Sequence, residues 1–203
     1  EPLTLDQARA WGSWIGISGQ LNIASEWLPG LPDEKLEVIK RSMPNHDLCG
    51  RPIDLFENAF GQVWHLTAGT EQHRKDIIGL FNWNDKKSDT VRVELSKLNL
   101  PDNGRGTYIG FDYWADEFIQ PFTGSIEKKL RPSSCRIISI QKLLERPVLV
   151  STSRHITQGI VDIVEQNWNS QNKSLSGKSR VVGLDPYEIR IFAPKDKRYR
   201  QVR

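Results

Sequence analysis

Val91-Arg92-Val93-Glu94-Leu95 alternates apolar and charged residues, and Tyr187-Glu188-Ile189-Arg190-Ile191 repeats the pattern near the other end of the chain. Successive side chains of a strand point to opposite faces, so a period of two is typical of strands with one buried face. Short runs of this kind, separated by turn residues, continue from residue 53 onward and predict an antiparallel sandwich or barrel. The predicted strands are 53–57, 63–67, 76–83, 90–95, 106–114, 118–122, 125–130, 134–141, 148–153, 160–167, 174–182 and 187–193. Asn103-Gly104, Thr123-Gly124 and Ser176-Gly177 are predicted at hairpin turns.

The first 50 residues follow a different pattern. Thr4 and Gln7 have the spacing of a capping box, and a helix over 5–18 is predicted to follow it. That helix is apolar on nearly every side, so it should be buried on several sides. A short strand is predicted at 20–26. A second helix is predicted from the run Leu31-Pro32-Asp33-Glu34.

Two helices and one strand cannot close an α/β fold by themselves, because such a helix needs the rest of a barrel to cover it. The sequence therefore predicts a mainly β protein in which an antiparallel β-sandwich follows a helix-strand-helix remnant of a (β/α)8 barrel. The expected parts are 1–50 as the barrel unit, 51–145 as the sandwich, and 146–203 as additional strands that pack on or extend it.

Composition excludes several classes of function. The chain has 203 residues, and its 28 basic and 25 acidic residues leave a net charge of +3, without the dense basic face of a nucleic-acid-binding protein. No apolar run approaches the length of a membrane span. Cys49 and Cys135 allow at most one disulfide bridge, which does not decide the compartment. The four histidines and two cysteines have no metal-ligand spacing. No cofactor, nucleic acid or membrane span is therefore expected.

Six stretches of the sequence stand out in order: Ala8-Arg9-Ala10-Trp11, Gly19-Gln20-Leu21-Asn22-Ile23-Ala24-Ser25-Glu26, Arg51-Pro52-Ile53-Asp54-Leu55-Phe56-Glu57, Ile78-Gly79-Leu80-Phe81-Asn82-Trp83-Asn84, Asp112-Tyr113-Trp114 and Cys135-Arg136-Ile137-Ile138. Together they resemble the end of melibiase-like enzymes, the α-galactosidases and relatives of glycoside hydrolase families 27 and 36. The first two stretches resemble the last barrel unit of these enzymes, and the other four resemble their C-terminal β domain.

The resemblance implies a catalytic (β/α)8 barrel elsewhere in the same polypeptide, acting on a glycoside or oligosaccharide. Such enzymes retain anomeric configuration with a pair of Asp residues. In that family the pair lies on earlier barrel strands, and no acids of this chain sit in the motifs that carry it. We therefore assign no catalytic residue and expect the chain alone to be inactive. Secretion or a periplasmic location would be compatible with the parent enzyme.

Four residues are candidates for contact with a sugar. Glu26 and Trp27 follow the predicted last barrel strand, and active sites gather at the C-terminal ends of such strands. Asp112 and Trp114 combine a carboxylate with a ring that can stack on a sugar, and strand alternation places them on one face. A structural reading competes in each case: an ion pair at Glu26, packing beneath a loop at Trp27, and a polar hairpin tip at 112–117.

Two other functions remain open. Seven Trp residues could serve a stand-alone carbohydrate-binding module. Alternatively, Glu26 with Asp112 or Asp116 could form an unrecognised hydrolase site, which would require two carboxyls in one cleft. Ser153-Arg154-His155 is not expected to form a catalytic triad, because no sharp elbow presents the serine.

Overall fold

The computed structural model describes residues 2–25, 27–70, 73–194 and 198–200. In these ranges two α-helices precede twelve strands, which confirms the mainly β class. Every described strand pair is antiparallel, as predicted. The helices are α1 (Leu5–Ser18) and α2 (Asp33–Ser42). The strands are β1 (Arg51–Pro52), β2 (Val63–Ala68), β3 (Lys75–Asn82), β4 (Asp89–Glu94), β5 (Tyr108–Asp112), β6 (Glu117–Phe122), β7 (Ser125–Leu130), β8 (Ser134–Lys142), β9 (Val148–Thr152), β10 (Ile163–Asn169), β11 (Ser174–Ser179) and β12 (Ile189–Phe192).

Helix α1 begins at the predicted capping box. The Thr4 hydroxyl accepts from the Gln7 amide, and the Gln7 side chain accepts from the Thr4 amide at 2.9 Å. The helix ends at Gly19, whose φ of 77° is left-handed and therefore favours glycine. Both ends of α1 are thus determined by local sequence.

A six-stranded sheet in the order β1-β2-β3-β8-β5-β6 forms the middle of the molecule. Every residue of β3 is buried, because both faces of the sheet are covered. On one face lies the β4–β7 pair, whose Val91, Val93 and Ile126 pack against Ile78 and Leu80 of β3. This face forms the predicted sandwich.

Helix α1 covers part of the opposite face. Its Ala10 and Ile17 pack with Leu66, Ile77 and Phe81 of strands β2 and β3. Beside the helix, β9 pairs with β12 and packs against β5. The described part of the molecule therefore has three layers, with the central sheet in the middle, and helix α1 is part of the core.

The strand predicted at 20–26 is not found in the described residues: 20–25 belong to no helix or strand. Side-chain amides hold this segment instead. Asn22 donates to the Ser42 carbonyl at 3.2 Å, and Asn45 donates to the Gln20 carbonyl at 3.0 Å. A strand needs a neighbour to pair with its backbone, and the described part of the chain brings none to this segment.

The strand predicted at 53–57 is also wrong, because these residues form a turn. The Asp54 carboxylate accepts from the amides of Gln62 and Val63 at 2.9 and 3.0 Å. These side-chain bonds replace a sheet ladder, so only β1 pairs with β2 here.

Ser176-Gly177 lies inside β11, opposite Gln166 and Asn167, and is not a hairpin turn. The turn falls at 170–173, where the Asn169 side chain accepts from the amides of Gln171 and Asn172. An Asx-type turn at Asn169 therefore connects β10 to β11.

Candidate functional site

Three of the four sugar-contact candidates lie in the described part of the chain, and the structure does not bring all three together. Glu26 lies outside the described residues. Trp27 precedes a short 3-10 turn and is 78% exposed. Asp112 ends β5, and Trp114 follows it in the turn to β6. The cleft lined by Trp114 does not include Trp27, so the candidates do not form one site within the described chain.

Asp112 has no solvent-exposed surface. Its nearest cation is Arg136, with Nη1 3.7 Å from Oδ2, and Oδ2 has no hydrogen-bond donor in the described structure. Burial raises the pKa of this carboxyl, against the opposing influence of Arg136 and Lys128. Asp116, by contrast, is exposed and pairs with Arg190 at 2.8 Å. Asp112 is thus buried away from any cleft, and Glu26, the predicted partner of Asp112 or Asp116 in a hydrolase site, lies outside the described residues.

Trp114 connects the β5–β6 turn to helix α1. Its indole N–H donates to the Ser13 hydroxyl at 2.8 Å. The guanidinium of Arg9 lies 4.9 Å from its ring centre, and Tyr113 meets the ring edge-on. With one face covered by Arg9, Trp114 acts in this conformation as a packing residue.

Four other Trp side chains join α1 to the sheet. Trp11 and Trp14 of the helix lie 6.0 and 6.4 Å from Trp83, and Trp14 lies 5.9 Å from Trp64. The indole N–H groups of Trp64 and Trp83 both donate to the Gly61 carbonyl, at 3.0 and 2.9 Å. These aromatic contacts anchor the helix on the β structure.

Large apolar side chains remain exposed across the first 60 residues. Leu21 and Ile23 are 76% and 70% exposed, and both flank Asn22, which points inward to Ser42. Phe56 is 99% exposed. We name the following set the N-terminal apolar residues: Leu3, Trp11, Leu21, Ile23, Trp27, Leu28, Leu55, Phe56 and Phe60. Nine of the 17 exposed large apolar residues in the described chain thus lie within its first 60 positions.

A buried polar network on β2 and β3 is centred on the Asp76 carboxylate. This carboxylate accepts from His65 at 2.8 Å, from Thr67 at 2.9 Å and from Arg74 at 2.8 and 2.9 Å. Burial alone would raise the pKa of Asp76, but the hydrogen bonds from His65 and Arg74 hold it below the usual value. Both carboxylate oxygens have donors, whereas the Nδ1 of His65 is buried without a partner in the described structure.

His155 is buried and is not part of a triad. Its Nδ1 accepts from the Thr157 amide at 3.1 Å, and the Thr157 hydroxyl lies 2.7 Å away. The Ser153 hydroxyl instead accepts from the Glu188 amide. Burial lowers the pKa of His155 to about 4, so the ring is neutral near pH 7.

Metal and membrane features are absent from the described part of the chain. No three His, Cys, Asp or Glu residues are grouped there to hold a metal ion. No helix in these ranges is long and apolar enough to cross a bilayer. Cys49 and Cys135 are both free thiols.

Comparison with known proteins gives a result only for structures. No family model matches the chain, and no curated protein matches it. The α-galactosidase I from Mortierella vinacea superposes with a TM-score of 0.54 at 12% identity, covering 69% of this chain and 36% of that one. A family 27 β-L-arabinopyranosidase from Geobacillus stearothermophilus gives 0.55 at 13%, covering 71% and 32%. An α-galactosidase from Saccharomyces cerevisiae, solved with raffinose, gives 0.53 at 10%, covering 70% and 45%.

These likenesses establish the fold. The predicted resemblance to melibiase-like glycoside hydrolases is confirmed at that level, and the architecture matches the C-terminal β-sandwich of family 27 enzymes. The chain covers 32% to 45% of the length of these three proteins.

Proposed function

We propose that this chain is the non-catalytic C-terminal region of a retaining α-galactosidase-like glycoside hydrolase, which supports the catalytic barrel of the same polypeptide. Residues 1–50 would be the last barrel unit, 51–145 the sandwich, and 146–203 strands added to it. The observation that carries this proposal is the segment 20–25, which belongs to no described strand and in which Leu21 and Ile23 are exposed.

An inner strand of a (β/α)8 barrel is flanked by two parallel neighbours and buried on both faces. Leu21 and Ile23 are therefore residue types expected in such a strand, where neighbouring strands would bury them. Full burial of a large apolar side chain contributes about 1.5–3 kcal/mol. A barrel packed over Leu21, Ile23 and Phe56 would gain that contribution at each position.

Sugar contact would come from the same segment. Glu26 and Trp27 would follow the last barrel strand at its C-terminal end, where the loops of such barrels build the active site. Asp112 is buried and Trp114 is covered by Arg9, so we give both a packing role. The substrate would be a glycoside or oligosaccharide whose bond is cleaved by carboxylates of the barrel.

The activity test uses purified residues 1–203 with a chromogenic α-galactoside. We expect no turnover above the uncatalysed rate. Turnover that persists through repeated purification would refute a non-catalytic role.

A second experiment tests whether Leu21 and Ile23 belong to an apolar surface on which a barrel could pack. Binding of an apolar fluorescent dye should fall in a Leu21→Ser/Ile23→Ser variant. The matched control is Val181→Ser/Val182→Ser, which alters two residues that are also exposed but lie in a loop after β11. Equal dye binding by the wild type and the Leu21→Ser/Ile23→Ser variant would count against a continuous apolar surface.

The exposure of Trp27 favours one alternative function, a stand-alone carbohydrate-binding module. That function predicts a saturable change in Trp fluorescence when galactosides are added, and the change should disappear in Trp27→Ala. Under the preferred proposal, the isolated chain shows no such change.

A further inference from the structure

A small cleft between α1, β7 and β8 is lined by an excess of cations. Arg9 comes from the helix, Lys129 and Arg131 come from the end of β7 and the turn after it, and Arg136 comes from β8. Asp6 is the only acid among the described residues that line the cleft, whose volume is about 80 Å³. The cleft lies beside Trp114 but apart from Trp27.

Most of these cations have no hydrogen-bonded counterion. The Asp6 carboxylate pairs with Arg131 at 2.9 Å, so the one acid among the described lining residues already has a partner. Within the described structure, neither Arg9 nor Lys129 donates to any acceptor, and the Nε of Arg9 is buried without a partner. Arg136 approaches only Asp112, and 3.7 Å is too long for a hydrogen bond.

Asp112 is a poor counterion for Arg136. It lies beneath the cleft, in surroundings where burial disfavours its charged form. The positive charge of Arg9, Lys129 and Arg136 therefore remains largely uncompensated. Cations that line one cleft repel each other, and the buried Nε–H of Arg9, which has no acceptor in the described structure, adds a further cost.

The cleft is also built to hold its donors in place. Arg9 lies against the Trp114 ring, and Trp114 is fixed in turn by its hydrogen bond to Ser13. Arg136 is on β8, an inner strand of the central sheet. Side chains held in this way lose little conformational freedom when they bind a ligand.

We propose that this cleft binds a small oxyanion, such as sulfate or phosphate, through Arg9, Lys129 and Arg136. An oxyanion supplies the acceptors that these donors lack, through charge-assisted hydrogen bonds. The volume leaves room for such an ion, because about 10–15 Å³ on the same measure already holds one water and the cleft has about 80 Å³. The inference uses only the residues of this cleft and does not depend on the proposed function.

The test is a sulfate titration of the full chain by NMR, with ionic strength held constant by chloride. The indole N–H of Trp114 should shift and saturate at millimolar sulfate. Lys129→Gln should weaken binding about tenfold, which is the loss expected for one charge-assisted hydrogen bond. Lys129 is exposed and makes no described bond, so this variant is expected to fold. Arg9→Gln should weaken binding at least as much.

The matched control is Lys178→Gln, which removes the same charge from β11, where Lys178 pairs with Glu165. Its sulfate affinity should equal that of the wild type. Equal weakening by Lys129→Gln and Lys178→Gln would show general charge screening and overturn the proposal. A Trp114 signal that does not saturate would do the same.

Two ligands separate the sources of the anion. Inorganic sulfate and galactose 6-sulfate carry the same oxyanion, and galactose carries none. Equal affinities for the two sulfates would identify a site for the free ion, whereas tighter binding of galactose 6-sulfate would identify an anionic saccharide. Binding of galactose as tight as that of galactose 6-sulfate would contradict an oxyanion site.

Discussion

Replacing Ile17 with Ala should destabilise the whole β structure, although Ile17 belongs to the first helix. Its side chain is fully buried and packs on the central sheet, where its Cδ1 lies 3.0 Å from the position a Cβ would take at Gly79. Gly79 is therefore the strand position that makes room for the helix. Removing three methyl or methylene groups costs about 2.4 kcal/mol at about 0.8 kcal/mol each.

The cavity left behind brings the expected loss of unfolding free energy to about 3–4 kcal/mol. With a urea m-value of about 2 kcal/mol/M, the unfolding midpoint should fall by about 1.5–2 M. Urea titration followed by circular dichroism and Trp fluorescence measures this shift. Ile23→Ala is the matched control, because Ile23 is 70% exposed, and it should change stability by less than about 0.5 kcal/mol. A midpoint shift below about 0.5 M for Ile17→Ala would refute the packing of α1 on the sheet.

Three further predictions concern the core. In Gly50→Ala, the new Cβ would collide with the Ile17 carbonyl oxygen and should cost about 1–3 kcal/mol by thermal unfolding, whereas Gly183→Ala, which meets nothing within 4 Å, should be nearly neutral. Asp76→Asn should cost about 3–5 kcal/mol, because it breaks a buried pair. The folded pKa of Asp76 is depressed, so its stabilisation is present above the ordinary carboxyl pKa of 3.8 and is lost as pH falls below it. The urea midpoint of the variant should therefore depend less on pH below 3.8 than that of the wild type. The His155 ring should titrate by NMR near pH 4 rather than 6.5. The free energy of unfolding should fall as pH drops from 6.5 to about 4, because the unfolded chain takes up the proton first. An NMR titration midpoint near pH 6.5 would contradict the burial of this ring.

Elements with local signals agree with the sequence prediction. Helix α1 spans Leu5–Ser18, as predicted, because each of its ends is set by residues adjacent to it in the sequence: the Thr4–Gln7 capping box and Gly19. Strand β4 alternates buried Val91 and Val93 with exposed Arg92. The errors occur where pairing depends on distant residues: the segment 20–25 has the residues of a strand but no neighbour, and 53–57 is shaped by the Asp54 side chain.

The oxyanion cleft had no signal in the sequence. Arg9, Lys129 and Arg136 are scattered over 128 positions, and the fold brings them together from one helix and two strands. Asp112 and Trp114 stood out in the sequence as a carboxylate beside an aromatic ring. Whether that pair faces a ligand or the core depends on what packs over it, and α1 covers it through Ser13 and Arg9.

The sequence alone determined the local elements of this protein and its mainly β class, because caps, turns and alternation act over a few residues. Tertiary structure alone decided that the N-terminal helices cover one face of the central sheet, that Leu21 and Ile23 remain exposed, and that three cations share one cleft. The physical reason is range: a side chain's burial and charge environment depend on residues far away in the chain, which only the folded arrangement brings into contact.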